Sequence, residues 1–344
     1  MATVTAMPAR SRKQVVGRSR RTLAAAVALI LFAIVLPFIP PFTGQDYQRY
    51  LVGAAYTAAL AVAFDFTAGY IDIVNFGFAA FVGIGAYTSA LLAVDLGLPP
   101  GLGLIAGAGA AGLVGLATGM LTLRLRGIYA AVMAWFVGLA LMGLVRNLTD
   151  ITRGSMGLNV PRLLGTDDNL PYYYVMLALL LVTIAVLTYV IRSNVGLAFR
   201  AIGQNLQAAR ASGINPTRFL VLNFTLSCAF AGLMGGFYAH YYTILTPDLM
   251  STTRTIEVLA VAYIGGRGSL WGPAIIAFPL YIGTELLRTQ LASLPGLHLV
   301  LYGLLLIVVM VYWPGGVAGV VRKTALWWER RSEKAADATT SSAS

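Results

Sequence analysis

Cysteine, histidine and charge are scarce in this sequence. Its 344 residues include one cysteine, Cys228, and two histidines, His240 and His298. A single cysteine excludes a disulfide framework, and so few nitrogen and sulfur ligands argue against a metal site on this chain. Only 11% of the residues are charged, whereas an ordinary soluble domain has about 25%. The composition is therefore not that of a soluble domain.

Catalytic motifs are absent as well. The sequence holds no glycine-rich phosphate loop ending in Gly-Lys-Ser or Gly-Lys-Thr, no H-E-x-x-H zinc pair and no G-x-S-x-G nucleophile elbow. We therefore expect no catalytic residue, no metal and no cofactor on this chain. If ATP drives its activity, ATP and Mg are used on a separate chain.

Apolar segments dominate what is present, since 58% of the residues are hydrophobic. Most of these segments approach the roughly 20 residues that a helix needs to cross a bilayer. The short segment 256–265 either spans or is re-entrant. We predict an all-α polytopic membrane protein with about 8–10 transmembrane helices, in one domain over 23–321. The candidate segments are 23–39, 48–65, 77–95, 99–122, 128–146, 172–191, 218–243, 256–265, 271–289 and 298–313.

Basic residues predict the orientation. The net charge is +11, and on a membrane protein such an excess reports topology and not nucleic-acid binding. Residues 1–22 are basic and free of acids, 192–217 carries arginines, and 322–344 is a polar tail that we predict to be disordered. The positive-inside rule places all three, with both termini, in the cytoplasm. The outer segment 147–171 is either an ordered cap or a plain connector.

Two stretches, 69–87 and 263–278, interrupt the apolar pattern with glycine and polar residues. Broken helices at comparable positions of two halves indicate a transport site, because freed backbone groups must face a cavity. A weak internal repeat fits this pattern, and tight interfacial turns are the alternative. The candidate translocation-pathway residues are Asp72, Asn75, Glu257, Gly265 and Gly266.

Ionisable residues inside a bilayer are costly, so each is a candidate for function. Asp65 and Asp72 flank the first interruption, and Glu257 precedes the second. Glu285 and Arg288 are spaced for an ion pair on one helix face, which favours a structural role. His240, near the outer end of a segment, is interpreted as an interfacial residue.

The stretch 196–217 is the longest acid-free polar interval between apolar segments. Its apolar residues recur at helical spacing, and Gly213 followed by Asn215-Pro216 marks one helix end and the next start. We predict a cytoplasmic helix of about four turns that docks on another protein; an interfacial helix without a partner is the alternative. The apolar stripe is Phe199, Ile202, Leu206 and Ala209, and the polar side is Arg200, Gln204, Gln207 and Arg210.

Over about 45–322 the chain resembles the permease subunits of ABC importers for branched-chain and other hydrophobic amino acids. One departure is Val74-Asn75-Phe76-Gly77, where the family usually shows Ser-Leu-Gly-His, and it leaves the substrate open to related solutes such as urea, amides or aromatic acids. The stretches that carry the resemblance are 77–92, 123–134, 154–158, 196–215, 227–239 and 256–277.

The resemblance implies a subunit of a bacterial inner (plasma) membrane importer. Its partners would be a second homologous permease, two cytoplasmic ABC ATPases and a periplasmic or lipid-anchored solute-binding protein, in addition to membrane lipids. The stretch 198–213 would be the coupling helix that receives the ATPase motion. Its candidate coupling residues are Phe199, Arg200, Ala209, Arg210 and Gly213.

The rival hypothesis is a stand-alone ion- or proton-coupled transporter with Asp65, Asp72 or Glu257 as the coupling carboxylate. An integral-membrane enzyme is a weaker alternative, because the sequence shows no catalytic cluster.

Overall fold

The computed structural model describes residues 27–40, 42–122, 125, 127–290, 296–312 and 315–319. Helices dominate these residues. They are α1 (Val27–Phe38), α2 (Gln45–Ala68), α3 (Phe78–Asp95), α4 (Pro100–Thr122), α5 (Ile128–Asn147), α6 (Thr149–Thr152), α7 (Asn169–Arg192), α8 (Asn194–Gln204), α9 (Leu206–Ala211), α10 (Pro216–Tyr242), α11 (Thr252–Gly265), α12 (Trp271–Gln290) and α13 (Leu297–Tyr312).

The predicted all-α polytopic class is confirmed. Among the described residues, six helices are long and apolar enough to cross a membrane: α2, α3, α4, α5, α7 and α10. Helix α11 has 14 residues and covers 256–265, the segment predicted either to span or to be re-entrant. At 1.5 Å a residue it is about 21 Å long, less than the roughly 30 Å of a hydrocarbon core. The predictions for 1–22 and 322–344 lie outside the described residues.

The core forms around helices built from small residues. Helix α2 is alanine-rich and almost wholly buried, and it packs against α7, α10, α11 and α12. Helices α3, α4 and α10 pack against one another, and glycines lie at their crossings. Gly85 faces the backbone of Gly232 so closely that a Cβ would collide with it. Such close backbone approach replaces the hydrophobic drive that is missing between helices in a bilayer.

The segment 147–171, which is predicted to lie outside and is called the outer segment below, is folded and is more than a plain connector. Strand β1 (Leu158–Asn159) pairs antiparallel with β2 (Ile244–Leu245), which follows α10. His240 joins the same segment to α3. Its Nδ1 lies 2.7 Å from the carbonyl oxygen of Pro161, and its Nε2 lies 2.9 Å from Ser89 Oγ. The His240 side chain is fully buried between α3 and this segment, so it packs inside the protein, and its interfacial position stays a prediction.

Candidate functional site

Helices α8 and α9 lie at one end of the bundle, which we call the coupling end after the role predicted for them. The prediction of a single four-turn helix is wrong, because extended backbone at Asn205 separates two shorter helices. The Asn205 side chain accepts hydrogen bonds from the amides of Gln207 and Ala208, both at 3.0 Å, and so begins α9 as an N-cap. The second predicted boundary holds: Asn215 caps α10, with Pro216 at its first position.

The apolar stripe of this element faces the body of its own chain. Phe199 is fully buried between the rings of Phe66 and Phe219, at 5.7 and 6.3 Å, and Ala209 is buried as well. Neither side chain is accessible to a partner, so any part they have in coupling is to hold the helices in place. The coupling assignment of the five residues stays a prediction.

The polar side of α8 and α9 is the exposed one. Arg200, Gln204, Gln207 and Arg210 are all exposed, and Gly213 lies beyond α9 with a positive φ of 82°. The stretch 192–218 contains four arginines and no acidic residue. This face therefore presents positive charge and hydrogen-bond donors at the coupling end.

Helix α8 contacts the turn that follows α2. The guanidinium of Arg200 lies 5.9 Å from the centroid of the Tyr70 ring, and the Cα of Gly203 lies so close to the Tyr70 carbonyl that a Cβ would collide with it. Burial, and then the nearby Asp65 carboxylate, raise the pKa of the Tyr70 hydroxyl to about 12, so it stays neutral at physiological pH. Helix α8 and this turn are therefore in direct contact.

The two interruptions predicted from the sequence meet at the coupling end. Asp65 accepts a hydrogen bond from the Gly268 amide at 2.9 Å. Arg267 donates to the carbonyl oxygen of Ala68 at 3.0 Å and forms an ion pair with Asp72. We call these contacts the junction; they join the end of α2 to the α11–α12 turn.

The remaining predicted pathway residues take up different places. Gly265 packs against the backbone of Gly272 and Pro273, and Gly266 has a φ of 110° and lies against 315–318. Asn75 is buried, and its Oδ1 accepts from the Gly77 amide at 3.1 Å just before α3. Among the described residues none of these three lines the cavity described next, and neither does Asp72.

A cavity of about 220 Å³ lies between α2, α3, α10, α11 and α12. It extends into the half of the bundle away from the coupling end, because its α2 residues precede Phe64 and its α12 residues follow Pro279. Of the predicted pathway residues it contains Glu257. Its lining is Arg49, Tyr50, Tyr56, Thr57, Leu60, Phe78, Ala79, Val82, Tyr238, Tyr242, Leu249, Arg254, Glu257, Val258, Val261, Leu280, Tyr281, Thr284, Glu285 and Arg288.

Two ion pairs lie in the cavity wall. Arg254 and Glu257 pair at 3.0 Å on α11, and the predicted pair of Glu285 and Arg288 is present at 3.7 Å on α12. Ionisable side chains that face the interior of a membrane bundle are candidates for function. An amphipathic cavity with a few convergent polar groups is the usual form of a small-molecule site.

Sequence reasoning missed Arg254, Tyr56 and the tyrosines of α10 as cavity residues. Arg254 could have been found, because it lies three residues before Glu257 and is spaced to pair with it. Tyr56 lies in an apolar run, and nothing in the sequence distinguishes it from the other aromatic residues of the membrane helices.

A bundle of apolar helices with an internal amphipathic cavity is a typical architecture of a membrane transport protein. The comparison with protein families agrees: residues 47–310 match the model for the permease component of the branched-chain amino acid transport system. The chain belongs to this family of ABC transporter permeases.

Curated relatives cover most of the chain. The high-affinity branched-chain amino acid permease LivM of Salmonella typhimurium is 27% identical over 86% of this chain and 75% of its own length. The high-affinity branched-chain amino acid permease LivH of Escherichia coli is 25% identical over 81% of this chain and 96% of its own length. The fructose import permease FrcC of Rhizobium meliloti is 28% identical over 82% of this chain and 81% of its own length. No solved structure matches the chain.

Proposed function

We propose that this chain is the membrane-spanning subunit of an ATP-driven ABC importer for branched-chain or other hydrophobic amino acids, or for a related small polar solute. It works by alternating access in a bacterial inner membrane, with both termini in the cytoplasm. Its partners are a second homologous permease, two cytoplasmic ABC ATPases and a periplasmic or lipid-anchored binding protein. ATP and Mg are used by the ATPases.

The exposed basic face of α8 and α9 carries this proposal. Its apolar side is already covered by its own chain, so the face is a rigid, preformed surface for a soluble protein. The family match supports an amino-acid solute, as do the names of the LivM and LivH relatives. The name of FrcC shows that a chain of similar identity serves fructose, so the solute needs its own test.

The test is uptake by the complete importer in proteoliposomes, with L-leucine supplied on its binding protein. We expect Arg210→Glu to abolish uptake, because it reverses charge on the exposed face of α9, while the binding protein still captures leucine. Arg162→Glu is the matched control, because Arg162 is an exposed arginine of the outer segment. Normal uptake in Arg210→Glu would overturn the coupling role.

The stand-alone transporter predicts a different result. Purified permease without ATPase subunits would then accumulate leucine when a proton or sodium gradient is imposed. The contacts of the three candidate carboxylates oppose this alternative: Asp65 accepts from Gly268, Asp72 pairs with Arg267, and Glu257 pairs with Arg254. Protonation of Asp72 or Glu257 would remove the charge that pairs with its arginine at each turn of such a cycle.

A further inference from the structure

We propose that the cavity is a solute-binding site contained within this one subunit, and that it takes a zwitterionic amino acid with an apolar side chain. This inference rests on the proposed function and adds to it the position of the ligand and the groups that would hold it. It also separates solute binding from the coupling end, since the cavity and the basic face lie at opposite ends of α2.

The cavity changes from ionic to apolar along its length. Helices α2 and α11 run in the same direction, because the end of each meets at the junction. Along both helices the charged lining residues come first, Arg49 and Arg254, and the apolar ones come later, Leu60 and Val261. A ligand that fits this gradient has a charged head and an apolar body.

At the apolar end of the cavity, the first amides of α3 already have hydrogen-bond acceptors. Ala79, at the start of α3, donates its amide to Thr255 Oγ1 at 3.1 Å, and the Phe78 amide donates to the Asn75 carbonyl oxygen at 3.2 Å. A helix start would otherwise attract an anion. This end therefore receives an apolar group; its lining is Leu60, Phe78, Val82, Val258 and Val261.

The ionic end presents both signs of charge. The Arg254–Glu257 pair supplies a guanidinium and a carboxylate only 3.0 Å apart, and both side chains are partly exposed to the cavity side of the bundle. A zwitterionic head can place its carboxylate at one and its ammonium at the other. A ligand with a single charge would face one like-charged group at this position, which costs binding free energy.

Tyr56 gives an independent indication that something binds here. Tyr56 is a lining residue of the cavity, and its hydroxyl is buried without a hydrogen-bond partner among the described residues. A buried polar group without a partner is costly, so such groups in proteins usually meet a ligand or ordered water. The hydroxyl lies on the same helix as Arg49 and two turns from it, at the ionic side of the gradient.

The dimensions suit a solute of amino-acid size. At about 30 Å³ for each water, a cavity of about 220 Å³ holds roughly seven waters. Sites for drug-sized ligands are larger, about 300–1,000 Å³. The ring of Tyr281 packs so closely on α2 that a Cβ at Gly53 would collide with it, and this contact limits the cavity on one side.

The test is equilibrium binding of radiolabelled L-leucine to the permease–ATPase complex in nanodiscs, without ATP and without the binding protein. We expect saturable binding. Glu257→Gln should weaken it by about ten- to a hundredfold, and Tyr56→Phe by about three- to tenfold, as expected for lost charged and neutral hydrogen bonds. Asp167→Asn, in an exposed ion pair of the outer segment, is the control and should bind as the parent does.

Two series of ligands test the preference of the site for charge and for side-chain size. The 2-oxo acid analogue of leucine lacks the ammonium group and isoamylamine lacks the carboxylate, so both should compete at least about tenfold more weakly than leucine. Val261→Phe narrows the apolar end and should weaken leucine binding about tenfold more than alanine binding. A misfolded variant would instead lose both amino acids equally.

The outcomes separate the two proposals. If the complete importer takes up leucine but the complex shows no saturable binding, or if Glu257→Gln and Tyr56→Phe bind like the parent, the cavity is not the site. Equal competition by the 2-oxo acid overturns the zwitterionic class. If the complete importer takes up no amino acid, the proposed function itself fails.

Discussion

At the scale of single residues, Arg267 holds the junction together. The last carbonyl groups of a helix have no partner within it, and Arg267 supplies one to Ala68 at the end of α2. It also pairs with Asp72, whose φ of 56° is unusual for a residue with a side chain. One guanidinium thus joins two segments that are 195 residues apart in sequence.

We expect Arg267→Gln to destabilise the permease by about 1–2 kcal/mol, because a charged hydrogen bond is lost at a partly exposed site. Thermal unfolding in detergent measures the effect. Arg162→Gln is the control: its ion pair with Asp167 is more exposed, and its loss should cost less than about 1 kcal/mol. Equal shifts in the two variants would mean that the junction contributes no more than a surface ion pair.

The sequence could identify the costly residues of the junction but not their contacts. Asp65 and Asp72 were predicted as candidates because charge in a bilayer is expensive, and both take part in the junction. Their partners, Gly268 and Arg267, lie beyond nine intervening α-helices, so no local spacing could pair them. Tyr56 was missed because its importance comes from an unpartnered hydroxyl, which only the packing around it reveals.

At the scale of elements, the glycines of α3, α4 and α10 set the distances between helices. A Cβ at Gly235 would collide with the Val82 carbonyl oxygen of α3, whereas a Cβ at Gly109 would meet no described atom within 4 Å. We expect Gly235→Ala to prevent stable folding. Gly109→Ala should be neutral or stabilising by about 0.5–1 kcal/mol, because alanine favours a helix. Detergent-resistant yield and melting temperature check both, and a stable Gly235→Ala would contradict the packing described.

The outer segment depends on His240 for its position. We expect His240→Ala to release this segment, because it removes the contacts to Pro161 and Ser89. Trypsin cleavage after Arg153 and Arg162 in reconstituted permease measures the release. Met156→Ala changes an exposed residue of the same segment and should leave the cleavage rate unchanged. Unchanged cleavage in His240→Ala would show that the β1–β2 pairing alone holds the segment.

Helix boundaries could be predicted from the sequence where the capping signals were strong. Asn215-Pro216 predicted the start of α10 correctly. The break at Asn205 was missed because the apolar stripe continues across it: Ile202 and Ala209 are both buried although they belong to different helices. Asparagine is a favoured N-cap, so the signal was present but was outweighed by the periodicity.

At the scale of the whole molecule, the arrangement places two surfaces at opposite ends of the bundle. The basic face of α8 and α9 lies where α2 ends, and the ionic end of the cavity lies towards the start of α2. The apolar segments and the all-α class could be predicted, because continuous apolar runs of about 20 residues indicate membrane-spanning helices. The cavity could not, because it depends on how five helices pack.

The single cysteine allows the predicted orientation to be tested. Cys228 is fully buried, so the parent protein should not react with a membrane-impermeant maleimide. Met156→Cys at the outer segment should react in intact spheroplasts, because residue 156 is 93% exposed. Gln207→Cys, on the exposed face of α9, should react only after the membrane is permeabilised. Reaction of both cysteine variants from one side would contradict the opposite placement of the two surfaces. Reaction of only Gln207→Cys in intact spheroplasts would put the basic face outside, where no ATPase could reach it.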